Sequence, residues 1–285
     1  MPDTSVARTG QHAPLPQQEK KEPDEMSFLE HLEALRWHLI RAISAVFIVA
    51  IGVFLAKDFV FDSVILGPTK ESFITYQIIC SISETLCFYP AELEIITRDL
   101  AEQFLSHIKA SIWLGVDVAL PYVFYEIWRF IKPGLYEKEQ KAARGVVFVC
   151  SMLFLMGVSF GYFVIAPFAV TFLSKYAVSE SILNTVTLTS MVNNMTMFTL
   201  PVGLIFELPI LVYFLAKVGL ITSGTMKKYR KHSAVVILIL VAIITPPDVI
   251  TQFLIGLPLY ILFEAGIVIA ARVEKKRLKE ENERS

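Results

Sequence analysis

The chain has 285 residues, 54% of them hydrophobic and 19% charged, with a formal net charge of −1 and a mean hydropathy of +0.57. A soluble domain usually carries about 25% charged residues, and a near-neutral chain has no overall field to gather nucleic acid. The charges are also segregated, with 30 uncharged residues between Arg144 and Lys175; a crossing takes roughly 20 apolar residues, so a soluble enzyme and a single-span anchor are both excluded.

Residues 1–26 hold four prolines, many polar groups and no apolar run, the composition of a disordered tail and not of a signal peptide. Residues 27–271 read as one membrane domain. Its first span covers 37–56, with Arg41 one turn inside the edge. About fifty mixed residues follow, and from Thr97 the apolar residues Leu100, Phe104 and Ile108 recur at helical spacing. That stripe predicts a helix from Thr97 running unbroken into the second span, 108–131, about 52 Å in all at 1.5 Å per residue, with Pro121 as a kink point. Spans three and four cover 145–173 and 188–216. The stretch 233–271 is cut by Thr245-Pro246-Pro247-Asp248, where adjacent prolines remove donors and stop a helix. It therefore reads as a hairpin between spans at 233–244 and 249–271, making six. The fifth is short for a crossing and calls for local thinning or a tilted neighbour. Residues 272–285 form a charged tail whose basic run, Arg272 to Lys279, anchors the end at the membrane surface.

Lysine and arginine counts set the orientation. With the N-terminus in the cytoplasm, 21 of the 26 basic residues fall inside, and only Lys57, Lys70, Arg98, Lys109 and Lys175 fall outside. Both termini are thus expected in the cytoplasm. Cys80 and Cys87 share the first outer loop, on the oxidising side of a bacterial inner membrane; a disulfide and two free thiols both remain open. Cys150, inside the third span, reads as inert core.

Catalytic patterns fail on context. Gly157-Val158-Ser159-Phe160-Gly161 has nucleophile-elbow spacing, but that chemistry needs a strand-turn-helix, whereas Gly157 and Gly161 in a membrane helix form a small-xxx-small contact. The five histidines form no zinc pair, and no cofactor is expected. Glu207 is more informative: it is the lone charge among 36 residues and falls deep in the fourth span. An uncompensated charge at mid-bilayer costs roughly 2.5–3.5 kcal/mol, so a wet cavity, a partner's polar group or protonation must offset it. A neutral carboxyl buried in packing is the plain alternative. Asp117 and Glu126 are less telling, since Glu126 lies near the inner interface where snorkelling is inexpensive. Asp248 stands where an N-cap is expected, and Gln252 shares its face. Trp128 and Phe130 read as interfacial belt residues. Beside them Glu137 and Glu139 interrupt the cations Arg129, Lys132, Lys138, Lys141 and Arg144. The lead-in segment His31-Leu32-Glu33-Ala34-Leu35-Arg36 carries further exposed charge.

These motifs together resemble the TatC family, the receptor subunit of the twin-arginine protein-export system. The lead-in segment is similar to the family's His-Leu-x-Glu-Leu-Arg. Pro121, Tyr125, Trp128, Phe130, Pro133, Leu135, Tyr136 and Glu139 fall at the family's spacing. So do Phe206-Glu207-Leu208-Pro209, Gly219-Leu220-Ile221-Thr222, Thr245 to Asp248 with Gln252, and Pro258-Leu259-Tyr260 with Phe263-Glu264. The resemblance implies an all-α membrane fold, a concave six-helix bundle with short fifth and sixth helices. It implies binding of twin-arginine signal peptides of folded precursors at the cytoplasmic face, and a multi-copy assembly with TatA- and TatB-type single-span subunits. Export would be driven by the proton-motive force, with no enzymatic activity. Carried over residue by residue, the signal-peptide site comprises Glu139, Phe130, Glu33, Arg36 and Glu207, and the partner contacts Glu207, Asp248 and Gln252. One position departs: the family's acid before Leu-Arg is Ala34 here, and Glu33 stands one residue earlier, turned about 100° on a helix. A proton-coupled secondary transporter using Glu207 is the alternative from another class, although the spans show no internal repeat.

Overall fold

The computed structural model describes residues 28–131, 137–179, 185–244 and 249–282. Among them, five helical stretches are long and apolar enough to cross a membrane: Leu32–Leu55, Glu102–Ile131, Gly145–Lys175, Leu188–Val218 and Gln252–Lys279. The chain is a multi-pass membrane protein. The first helix, α1 (Phe28–Leu55), starts in the lead-in segment and runs unbroken through the first span. It packs antiparallel on α4 (Glu102–Ile131). Apolar side chains are no more soluble in each other than in lipid, so such contacts rely on small residues that let backbones approach. Ala42 and Ala50 are accordingly buried while Phe47, Ile48 and Ile51 are exposed, and a Cβ on Gly115 of α4 would meet the Ala50 Cβ at 2.8 Å.

Between these two helices the chain builds a cap at one end of the bundle. It passes through α2 (Lys57–Phe59) and α3 (Ile74–Ile82), then the strand β1 (Glu94–Ile96). Cys80 and Cys87 are joined by a disulfide. Tyr76 of α3 is fully buried, its hydroxyl 2.7 Å from the Pro68 carbonyl and 3.2 Å from that of Pro167, and burial pushes its phenol up to about 12. The helix expected from Thr97 begins only at Glu102. Residues 94–96, just before the expected start, pair with β2 (Thr185–Thr187), in parallel register Glu94↔Thr185, Ile95↔Val186, Ile96↔Thr187. Glu102 then closes the turn, accepting the Arg98 N–H at 2.6 Å and the Thr189 N–H at 3.0 Å. Leu100 is fully exposed and Phe104 largely so; the stripe has helical spacing but does not face a core.

The third span is built from α5 (Glu137–Phe160), a π-helical turn (Gly161–Ile165) and α6 (Ala166–Lys175). The contact predicted at Gly157 and Gly161 is present, and its other side is α7 (Leu188–Ile205). A Cβ on Gly157 would come within 2.8 Å of the Gly203 Cα, and one on Gly161 would overlap the Phe198 carbonyl. Since α4 and α7 follow β1 and β2, the parallel strand pair starts two parallel helices. Their shared seam carries Ser106–Thr189 at 3.0 Å and Lys109–Asn193.

Two expectations are corrected by backbone chemistry. The fourth span is not one helix: α7 ends at Ile205, and α8 (Leu208–Val218) restarts with Pro209 in its first turn. Proline donates no hydrogen bond, so Glu207 stands in a break and not deep within a helix. The sixth helix is not short either. After α9 (Ser223–Lys228) and α10 (Arg230–Ile244), α11 (Val249–Asn282) runs 34 residues, taking in most of the expected tail. Residues 272–282 lack Gly and Pro and consist largely of good helix formers, and Ser223 Oγ donates to Glu274 Oε2 at 2.8 Å, docking that extension beside α9. The Pro246-Pro247 hairpin falls outside the described residues. At 15 residues α10 is about 22 Å long, under the roughly 30 Å of a hydrocarbon core. The main core joins Trp113 of α4, Met191, Met195 and Phe198 of α7, Val241 of α10, and Ile255 and Leu259 of α11.

Candidate functional site

Opposite the cap, where α1 begins and α4 ends, the structure assembles polar groups that lie 88 residues apart in sequence. His38 Nδ1 is 2.5 Å from Glu126 Oε2, and the Tyr122 hydroxyl donates to Glu126 Oε1 at 2.8 Å. Tyr122 and Glu126 are one helical turn apart on α4, so both reach the same face. The Phe130 ring, a further turn along, meets the His38 ring edge-on at 6.1 Å. Glu126 is only 1% exposed. It is therefore not an interfacial carboxylate reaching for water, as its position suggested, but the buried centre of a three-residue cluster. The available signal was the Tyr122–Glu126 spacing; His38, far away in sequence, gave none.

The other sequence-derived residues divide. Phe130 joins this cluster. Arg36 is exposed, its guanidinium 5.6 Å from the centroid of the Trp37 ring. Glu33 is exposed as well, and because α1 is already helical here it points about 100° away from position 34. Glu139 lies on α5, but its side chain, like that of His31, is outside the described residues. Trp128 is no simple belt residue, since its ring packs 5.2 Å from Phe214 of α8. Asp248 lies outside the described residues; Gln252 donates to the Leu238 carbonyl at 3.4 Å, tying α11 to α10. The same two helices share an ion pair, Arg230–Glu264 at 2.5 Å.

Glu207 belongs to another contact. From the break between α7 and α8 it reaches the Cys150 side chain and the backbone of Phe154 on α5. Its Oε1 is buried without a hydrogen-bond partner among the described residues. Cys150 is thus a neighbour of the intramembrane carboxylate and not merely filler. Asp117, read as less telling in the sequence, is also buried. Its Oδ2 lies 3.2 Å from Thr199 Oγ1, to which Trp113 Nε1 donates at 2.9 Å. This arrangement fastens α4 to α7. No group of three or more metal-ligating side chains occurs among the described residues.

Comparison with known proteins agrees along most of the length. The family model for Sec-independent protein translocase protein (TatC) matches residues 30–258. A TatC of Blattabacterium sp. subsp. Periplaneta americana is 36% identical over 265 residues, covering 90% of this chain and all of that protein. A TatC of Desulforapulum autotrophicum is 32% identical, covering 92% of this chain and 91% of the relative. Among solved structures, the crystal structure of the twin-arginine translocase receptor TatC superposes with a TM-score of 0.64 at 30% identity, over 85% of this chain and 98% of that one. The same receptor in DDM gives 0.67 at the same identity.

Proposed function

The chain belongs to the TatC family of Sec-independent protein translocases, and from that premise we propose that it receives twin-arginine signal peptides of folded precursors at the end of the bundle where α1 begins. The observation that carries this reading is the packing of Phe130 against the His38–Glu126–Tyr122 cluster, at the junction that leads into the segment bearing Glu139. A guanidinium pair is best bound by carboxylates in bidentate geometry, supplied by Glu139 with Glu33 as a weaker second. Phe130 offers a ring face for stacking on arginine, and the buried cluster fixes that ring. Arg36, stacked on Trp37, bounds the site and sets its spacing from Glu33.

In this reading both termini face the cytoplasm of a bacterium, α10 crosses a locally thinned inner membrane as the fifth of six spans, and the bundle is concave. Glu207, with an unsatisfied oxygen in the membrane-spanning region, takes a polar group from the signal peptide or from a TatA- or TatB-type helix. Asp248 and Gln252 add partner contacts at the α10–α11 hairpin. Transport of the folded cargo draws on the proton-motive force. The test is photo-crosslinking of a radiolabelled twin-arginine peptide to membranes holding the protein, with the crosslinker at Phe130 or beside Glu139 and a twin-lysine peptide as control. Arginine-dependent adducts are expected. Equal or absent adducts with intact protein would overturn the receptor reading and return attention to a proton-coupled transporter using Glu207.

A further inference from the structure

Beside the α1–α4 contact runs a groove of about 610 Å³ that the signal-peptide reading does not use. Trp37, Arg41 and Tyr122 line its polar end, and Ile48, Val49 and Val118 its apolar end. Along α1 the distance from Arg41 to Ile48 is about 10 Å, so the groove runs along the helix from a cationic mouth into hydrocarbon depth. We propose that it is a site for one anionic phospholipid, with the phosphate on Arg41 and an acyl chain lying against Ile48, Val49 and Val118.

Charge carries the choice of occupant. Arg41 lies one turn inside the first span, within the apolar stretch Leu32–Leu55, and it forms no ion pair among the described residues. The carboxylate of Glu126, one turn from Tyr122 on α4, is already engaged by His38 and Tyr122. Glu33 stands eight residues back along α1, about 12 Å away. Arg36 lies 5.6 Å from the centroid of the Trp37 ring that lines the mouth. An intramembrane guanidinium calls for a compensating anion, and a phosphodiester accepts its paired N–H groups in bidentate fashion. Trp37 and Tyr122 have the amphipathic rings that sit at headgroup level, and the walls below them are apolar apart from Ser44. The inference requires membrane embedding only, and stands whether or not the chain binds signal peptides.

Trp37 is also the reporter. The protein is reconstituted in phosphatidylcholine vesicles containing a minor fraction of dibrominated phosphatidylglycerol or dibrominated phosphatidylcholine, and the Trp37→Phe variant measured in parallel isolates the Trp37 emission. Brominated phosphatidylglycerol is expected to quench Trp37 at about fivefold lower mole fraction than its zwitterionic counterpart, the factor for one basic residue at an anionic surface. Arg41→Gln should abolish that preference and Arg41→Lys should keep part of it, with a monodisperse peak on size exclusion showing that each variant is folded. Equal quenching by the two lipids, or a preference that survives Arg41→Gln, would overturn the site. Loss of quenching on adding a twin-arginine peptide would give the groove to the peptide instead.

Discussion

The two ends of α4 solve the same problem, a carboxylate at the edge of an apolar bundle, in different ways. At the capped end Glu102 accepts backbone N–H groups from Arg98 and Thr189, partners that cannot leave without unfolding the turn and the β1–β2 pair. At the opposite end Glu126 is held by the side chains of His38 and Tyr122, which a rotamer change releases. Backbone-anchored carboxylates fix structure, whereas side-chain-anchored ones allow exchange of partners. The capped end also has a disulfide and a buried Tyr76; the other end has exposed Arg36, Trp37 and Leu35. The contrast places the covalent and backbone-anchored links at the end away from the proposed receptor surface.

The largest expected effect removes the close contact between the third span and α7. Gly161→Leu puts a side chain where the Phe198 carbonyl already lies, and no rotamer avoids a backbone clash. Detergent-solubilised protein should fail to give a monodisperse peak on size exclusion, while Gly52→Leu, whose Cβ meets nothing within 4 Å, should elute normally. A monodisperse Gly161→Leu protein would mean that α5 and α7 can separate without loss of the fold.

Next come variants that break one end alone. Cys80→Ser opens a link across seven positions, for which chain entropy gives about 2–3 kcal/mol. The melting temperature should fall while twin-arginine crosslinking at Phe130 stays at the native level. Glu126→Ala should do the reverse. With the cluster gone, His38 no longer holds Phe130 in place, and adduct yield at Phe130 should drop by about tenfold, equivalent to roughly 1.4 kcal/mol. Glu126→Gln keeps an acceptor for Tyr122 and a polar contact for His38, and should retain most of the yield. If Cys80→Ser lowers crosslinking as much as Glu126→Ala, the ends are coupled and the contrast fails.

What could be read from sequence follows the same division. Hydropathy located five membrane-crossing stretches, with individual ends displaced by up to eight residues, because burial in lipid imposes long uncharged runs. Gly157 and Gly161 identified a helix contact without naming its partner. The restart at Leu208 was legible in Pro209 but was overridden by the apolar run around it. The Glu126 cluster and the β1–β2 pair were not legible, since each joins residues about 90 positions apart and neither leaves a periodic trace. Composition near 272–282 suggested a charged tail, yet the same residues favour helix, and docking on Ser223 extends α11 through them.

The smallest effect sharpens the comparison at the receptor end. Ala34 occupies the position where the TatC pattern has an acid, and Glu33 is turned about 100° from it on a helix that is already formed. If Glu33 only fringes the site, Glu33→Gln should change peptide retention by less than about twofold, the range of a screened surface charge. Ala34→Glu, by contrast, adds a carboxylate on the face the pattern prescribes, and should raise retention of the twin-arginine peptide by a few-fold while leaving the twin-lysine peptide nearly unchanged, because only the guanidinium pairs in bidentate fashion. Titrating peptide against both variants at one ionic strength decides it. A large loss in Glu33→Gln with no gain in Ala34→Glu would show that this chain has moved its second carboxylate to position 33, and that α1 rotates or unwinds at its start to present it.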